Sequence, residues 1–516
     1  MLARAIAKRQ CAGNRWEEEA DLAIHDRREA VKLLAGSAVA LSTGMAGGCR
    51  SSASPANAEQ KADFAKALTG KAVWKGDADY EIARAAAAYK VNLPERYPAL
   101  IVLAESERDV VGAVRFAREH GHKVTVRSGG HSWSSAHIRD DVVMIDMSRL
   151  QTVEIDAEAR TLWTNPGVLG SEINMQLEPH GLLVPTAHHP SPGIGGFCMN
   201  GGFGWNSRVW GNGCHHVLAI DVVTPDGDLI RADADQNSDY WWAARGGGAG
   251  FFGVITRMQL QCRKVPLFMK VSAYGFGAEA YEDLIRWARG NVENTPRNME
   301  MVITSTSHDR ITGERIPVRF TLAALAMGDD EAQVDAALDS LRTMPRIEEA
   351  TFAVEKKPTT LEERYASGYD ADPAGFRYAA DNIYTEASAD DLVERLRPVF
   401  LEQPSPRTHT FWLTWGPTRP LPEDAAFSMQ GDVYVATYTL WEDPAEDERL
   451  SIWPAQQMRA LSDIAIGGQM NDENMLQHRQ KYLSEEAYAR FEKLRLKHDP
   501  EGIFAGWLGS PMPAAG

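Results

Sequence analysis

His131 lies within the run Arg127-Ser128-Gly129-Gly130-His131-Ser132, directly after the strand-like residues 123–126. A lone histidine is ordinarily a structural hydrogen-bonder. Glycines beside it can take positive φ and present successive backbone N–H groups to phosphate oxygens. Three more glycine-heavy segments follow at 192–205, 211–213 and 246–250. Each alone reads as a tight turn. All four, interleaved with β-rich stretches between 126 and 255, point to a backbone wrapped around a large phosphorylated cofactor. The glycine loop lacks the Rossmann fingerprint spacing, and no suitable acidic residue follows a second strand, so a dinucleotide fingerprint of that type is a weak reading. The pairs His188-His189 and His215-His216 have no carboxylate or thiolate cluster to join them, and adjacent histidines on a strand point apart, so no metal site is expected.

The elements that must position these residues follow from periodicity. Residues 61–88 are alanine-rich and read as a helix, and 101–104 as a short buried strand. Ser106 with Asp109 three residues on forms an imperfect capping box, Val110, Val114 and Ala117 line one helical face, and Gly121 stops the helix. Residues 123–127 then complete a βαβ unit that delivers His131 at a strand end, where ligand chemistry commonly sits. Short strands are expected at 142–146 and 161–164 and a helix at 171–180. A hairpin at 220–232 turns on Asp226-Gly227, and 254–261 forms a closing strand. Beyond 268 the composition changes. Residues 299–304 and 320–327 read as strands, and 331–341 and 391–400 as amphipathic helices. Residues 408–415 and 433–441 alternate, placing Tyr434, Ala436 and Tyr438 on one face. A last helix at 484–497 turns Ala487, Phe491 and Leu494 inward and stops at Asp499-Pro500.

The run at 127–132 resembles the flavin-attachment motif of the berberine-bridge-enzyme-like flavoproteins of the vanillyl-alcohol-oxidase (PCMH-type) superfamily. Further matches arrive in the family's order: Asn165-Pro166-Gly167, residues 190–196, Gly201-Gly202-Phe203-Gly204, residues 221–227, residues 241–248 and residues 252–256. The resemblance is strong over 94–265, weaker over 430–506, and slight between 270 and 430. After a leader at 1–58, which the N-terminal residues themselves suggest, it implies an α+β protein in three parts: a PCMH-type FAD-binding domain of two subdomains at 94–265, an α+β substrate domain at 268–467 whose antiparallel sheet roofs the flavin, and a segment at 468–506 that returns to the FAD domain.

The resemblance also implies the site. His131 would bond covalently to the flavin, with Arg127, Ser128, Gly129, Gly130 and Ser132 holding the pyrophosphate. Gly193, Ile194, Gly195, Gly196, Gly201, Gly204, Gly253, Val254, Ile255 and Asn471 would complete the FAD contacts. Many relatives carry a second attachment through cysteine where this chain has His189, which cannot form a thioether, so one covalent bond is expected. Cys198 lies nine residues later and is a poor substitute. The family's Tyr-x-Asn segment matches Gln469-Met470-Asn471, so its tyrosine is absent while the asparagine remains. Tyr434 and Tyr438 are the best replacements as base, although ordinary sheet aromatics explain them equally well.

Composition and the N-terminus bound the setting. The 516 residues allow two to four packed layers or domains, and a formal charge of −17 argues against a nucleic-acid partner. No internal apolar run is long enough for a bilayer. Arg27-Arg28 and Lys32 precede the apolar residues 33–46, the layout of a twin-arginine export signal, with Ala30 and Val31 in place of bulkier residues. Cleavage before Glu59 is the preferred ending. A lipid anchor at Cys49 is the weaker alternative, since Ala46 stands where leucine is typical. Cys11 and Cys49 lie in the leader region. Cys198, Cys214 and Cys262 form at most one disulfide.

Two functions compete. One is an exported FAD-dependent oxidase or dehydrogenase that takes a hydride from a C–H bond next to an alcohol or amine of a small organic substrate, with oxygen or another molecule as electron acceptor. The other is a flavin-binding carrier of the same fold with little turnover.

Overall fold

The computed structural model describes residues 56–309, 312, 314–405, 407–416 and 420–513. The expected export signal, Cys11 and Cys49 lie outside them. In chain order the strands are β1 Lys71–Trp74, β2 Leu100–Leu103, β3 Val124–Arg127, β4 Val143–Asp146, β5 Val153–Asp156, β6 Thr161–Thr164, β7 Leu182–Leu183, β8 Val217–Val223, β9 Leu229–Asp233, β10 Val254–Gln261, β11 Arg263–Lys264, β12 Phe268–Gly277, β13 Met299–His308, β14 Arg315–Gly328, β15 Phe352–Pro358, β16 Arg377–Thr385, β17 His409–Thr414, β18 Val433–Trp441 and β19 Ala465–Gly467.

They form three main sheets and a small β7/β11 ladder. The first has the order β1-β2-β4-β3, with β2 and β3 both parallel to β4. The crossover through the helix Glu107–Glu119 therefore skips one strand, and β4, which arrives later, fills the gap. Ser106 and Asp109 make the reciprocal cap, each backbone N–H donating to the other's side chain, at 3.1 and 3.2 Å. Asp109 also accepts from the N–H groups of Thr69 and Gly70, which pins the segment entering β1. The single helix expected over 61–88 is thus divided. A helix at Ala58–Ala67 gives way to β1, and a second runs Tyr80–Ala86. Pairing with β2 overrides alanine's helical preference.

The second sheet has the order β5-β6-β10-β8-β9, and its hairpin turns at Gly227 with φ 77°. The third is an eight-stranded antiparallel sheet, β15-β12-β14-β13-β17-β18-β16-β19. Alternation along its central strands separates two cores. Trp412, Val433 and Val435 pack with the helices on one face, including Leu284 and Ile285 of Tyr281–Gly290 and Leu392 of Ala389–Arg395. Leu413, Trp415, Tyr434, Ala436 and Tyr438 pack on the other face, against Phe203. The expected helix at 391–400 is two, Ala389–Arg395 and Arg397–Leu401, with Pro398 opening the second because it has no N–H to continue the first.

The last helix, Glu485–His498, buries Ala487, Phe491 and Leu494 against the second sheet's core. Asp499 then accepts from the N–H groups of Ile503 and Phe504. Phe504 bridges to Val124, so the chain end returns to the first sheet. Cys198, Cys214 and Cys262 are buried free thiols, and burial raises all three, Cys262 to about 11.

Candidate active site

A cavity of about 500 Å³ runs between the glycine loops and the inner face of the eight-stranded sheet. The loop at 128–132 leaves β3 and lies against Pro192 and Gly193, where the chain enters the short helix Ile194–Met199. The contact is so close that a Cβ on Gly129 would sit 2.2 Å from Gly193 N, and one on Gly193 would sit 2.7 Å from both Gly129 N and Ser128 Oγ. Side chains are excluded here because two backbones touch. The N–H groups of Gly129, Gly130, His131 and Ser132 have no acceptor among the described residues. A Cβ on Gly196 would meet nothing within 4 Å, which leaves open space in the cavity wall. Successive free donors beside an open, glycine-lined wall fit a phosphorylated cofactor.

His131 faces this cavity. Its Nε2 lies 2.6 Å from Ser191 Oγ, and Tyr89 stacks on its ring with centroids 4.0 Å apart. Desolvation, with His189 and Arg127 adding to it, holds His131 well below the ordinary histidine value, so the imidazole is neutral. His189 is close, with ring centroids 5.2 Å apart, and burial lowers it to about 4. Its Nε2 meets the carbonyl of Asp372 at 3.1 Å and its Nδ1 meets Ser191 Oγ at 2.9 Å.

The roof supplies side-chain chemistry. Tyr434 Oη donates to Asp472 Oδ2 at 2.6 Å, and Trp133 Nε1 donates to Oδ1 at 3.0 Å. Asp472 is thus held between the loop that follows His131 and a roof strand. Desolvation raises both Tyr434 and Tyr438 well above the ordinary tyrosine value, and the Asp472 charge adds to it, so both remain phenols. His409 and Phe411 stack on Tyr438, with centroids 5.2 and 5.6 Å away.

Of the residues expected at the site, Ser128, Gly129, Gly130, His131, Ser132, His189, Gly193, Gly195, Gly196, Gly253, Ile255, Tyr434, Tyr438 and Asn471 line the cavity. Five do not. Arg127 turns back to pair with Asp146 at 3.1 Å, bracing the loop from behind. Ile194 and Val254 point into the cores on either side. Gly201 and Gly204 are packing glycines, where a Cβ would strike the Phe427 ring and the Thr186 carbonyl. Asn471 ties the helix Ile194–Met199 to the turn that follows it, accepting from Gly202 N at 3.3 Å and donating to Phe197 O at 3.4 Å. Asp472, Tyr89 and Trp133 escaped the sequence reading, and Ser191, inside the matched run 190–196, was given no role there. Asp472 directly follows the Gln469-Met470-Asn471 match, and a search for a tyrosine stops one residue short of it. Among the described residues no group of three or more His, Cys, Asp or Glu could hold a metal ion.

The family model for an FAD binding domain matches residues 98–233. The FAD-linked oxidoreductase nodO of Hypoxylon pulicicidum is 30% identical over 432 residues, covering 83% of this chain and 94% of nodO. The chain belongs to the FAD-linked oxidoreductases. A second member, ptmO of Penicillium ochrochloron, is 27% identical over 430 residues. Two solved structures share the fold. 6-Hydroxy-D-nicotine oxidase from Arthrobacter nicotinovorans gives a TM-score of 0.74 at 19% identity, covering 86% of this chain and 98% of its own. The berberine-bridge-enzyme-like protein 1 of Physcomitrella patens gives 0.75 at 17%, covering 88% and 99%. This FAD-linked oxidoreductase therefore has the PCMH-type α+β fold, and the free donors at 129–132 with the open wall at Gly196 are a site that fits FAD. No helix among its described residues is long and apolar enough to cross a membrane.

Proposed function

We propose that this FAD-linked oxidoreductase takes a hydride from a C–H bond next to an alcohol or amine of a small organic substrate, with the Tyr434–Asp472 pair receiving the proton that leaves with it. FAD, when bound, supplies the two-electron acceptor that the side chains lack. The observation that carries the reading is the 2.6 Å bond from Tyr434 to Asp472 in the cavity wall. Because Tyr434 donates its own proton to Asp472, its phenol oxygen presents lone pairs to a substrate hydroxyl or amine. A proton taken at that oxygen passes on to Asp472 Oδ2, so the carboxylate acts as base through the phenol. Trp133 fixes the carboxylate's other oxygen and with it the direction of transfer. The aromatic and aliphatic walls formed by Phe203, Phe411 and Leu413 keep water from competing. Oxygen or another molecule accepts the electrons afterwards.

His131 would hold the flavin through one covalent bond. Three features support this: the neutral imidazole, the engagement of Nε2 by Ser191, which leaves Nδ1 for the bond, and His189 where a thioether would need cysteine. The chain reaches the periplasm or exterior folded and loaded by the twin-arginine route, a reading that rests on Arg27-Arg28 ahead of the apolar residues 33–46.

An acid-precipitated pellet tests the attachment. It should be yellow for the wild type and colourless for His131→Ala, and a wild-type pellet that loses its colour to the supernatant would remove the covalent bond. Anaerobic bleaching of the flavin by a panel of primary alcohols and amines tests the reaction. Failure of every member to bleach it would favour the flavin carrier.

A further inference from the structure

A second polar device stands in the roof, apart from the Tyr434–Asp472 pair. Glu300 lies on β13, two residues along the same strand face from Val302, which pairs with Leu413 and through it with Tyr434. Its side chain is 8% exposed. His188 Nε2 lies 2.7 Å from Oε1, while Oε2 is buried with no hydrogen-bond partner among the described residues. Burial works against a charge on His188, but the Glu300 carboxylate outweighs it and raises the imidazole above its ordinary value.

The pair is rigidly placed. Gly368, in the helix Leu361–Ala371, presses so close that a Cβ there would lie 2.2 Å from His188 O. The rings of Phe203 and Trp205 flank the imidazole, with centroids 5.7 and 5.2 Å away. His188, Glu300, Val302 and Gly368 are the wall shared by the FAD-side cavity and a second cavity of about 410 Å³. A carboxylate oxygen withdrawn from water without a donor is destabilising, and native proteins rarely leave one unless something else completes it. Because the strand order is β13-β17-β18 and Val302 shares Tyr434's register row, Glu300 stands two strand spacings across and two residues along from Tyr434, roughly 12 Å.

We propose that Glu300 is the distal anchor of the substrate, its Oε2 accepting a hydrogen bond from a hydroxyl or N–H group borne roughly 12 Å from the end that meets Tyr434. His188 already occupies Oε1, so one acceptor atom is left, which a single neutral donor matches. Val302, Phe203 and Leu413 around it require the rest of the molecule to be largely apolar. The substrate class is an extended apolar alcohol or amine with one further neutral donor at its far end. This rests on the oxidoreductase reading above.

The test is a titration of the FAD-loaded protein with 2-naphthol and 2-methoxynaphthalene, matched in shape and differing in the single donor, followed by perturbation of the flavin absorption band. Wild type and Tyr434→Phe should both bind 2-naphthol at least tenfold more tightly than its methyl ether. In Glu300→Gln the amide oxygen takes the bond from His188 and turns its NH2 to where Oε2 stood, so the preference should vanish or reverse. Glu300→Leu should bind the two probes equally. A tenfold preference that survives in Glu300→Gln overturns the proposal, as does its loss in Tyr434→Phe. A wild type that is perturbed equally by both probes, or by neither, overturns it too. FAD loading, read from the same spectrum before any probe is added, reports separately on the reading beneath it.

Discussion

The two walls of the cavity recognise in different ways. The floor, at 128–132 and 192–196, works with backbone: it offers N–H groups and excludes side chains by contact between the first loop and the glycine entry to the helix Ile194–Met199. The roof, on β13, β17 and β18, works with side chains projected from one face of a sheet. A backbone surface serves a cofactor whose phosphates are constant. A side-chain surface can be rewritten at each alternate position without disturbing the strands that carry it, which suits a wall that selects substrates.

Breaking the floor should have the largest effect. Gly129→Val would drive a side chain into the backbone of Gly193, where not even a Cβ fits. The expected outcome is protein without bound FAD, judged by the flavin-to-protein absorbance ratio, at a cost above the roughly 1–3 kcal/mol of ordinary overpacking. The roof should fail differently. Asp472→Asn keeps the side chain's shape but turns one of its two acceptors into a donor and removes the base, so FAD content should be unchanged while the anaerobic reduction rate falls roughly 10²–10⁴-fold. If it instead lost its flavin, the division between the walls would be wrong.

The two walls meet at Glu473, which pH can probe. Its carboxyl accepts from the Ser134 hydroxyl and Met475 N–H, yet burial raises it from 4.5 to about 7. Since the folded value lies above the unfolded one, folding favours the protonated form, and stability falls as pH rises from about 4.5 to 7. Glu473→Gln should flatten that segment of the melting-temperature profile, by up to about 3 kcal/mol. The smallest effect is expected of Ser191→Ala, which removes one partner of His131 for about 1 kcal/mol and should slow flavin attachment a few-fold without preventing it.

The floor was readable from the sequence because its function lies in its glycines, and glycine marks a backbone requirement at the position where it occurs. The reading failed where glycine has more than one use. Gly201 and Gly204 serve packing against Phe427 and Thr186, and nothing local separates them from Gly193. The roof was readable only in outline. Alternation placed Tyr434, Ala436 and Tyr438 on one face, but which face meets the cavity depends on helices packed from distant parts of the chain. Missed strands such as β1 and β16 show the same limit, since each is held by pairing with partners remote in sequence.

By itself the sequence determined the order of the glycine loops, the histidine between them and the alternating strands of the roof, because these depend on φ, ψ and periodicity, properties of neighbouring residues. Only the tertiary structure brought Asp472 to Tyr434 and Trp133, and Glu300 to His188. These contacts join residues 38, 339 and 112 positions apart. They are made by the register of strands and the return of the chain end to the first sheet, which no local pattern records.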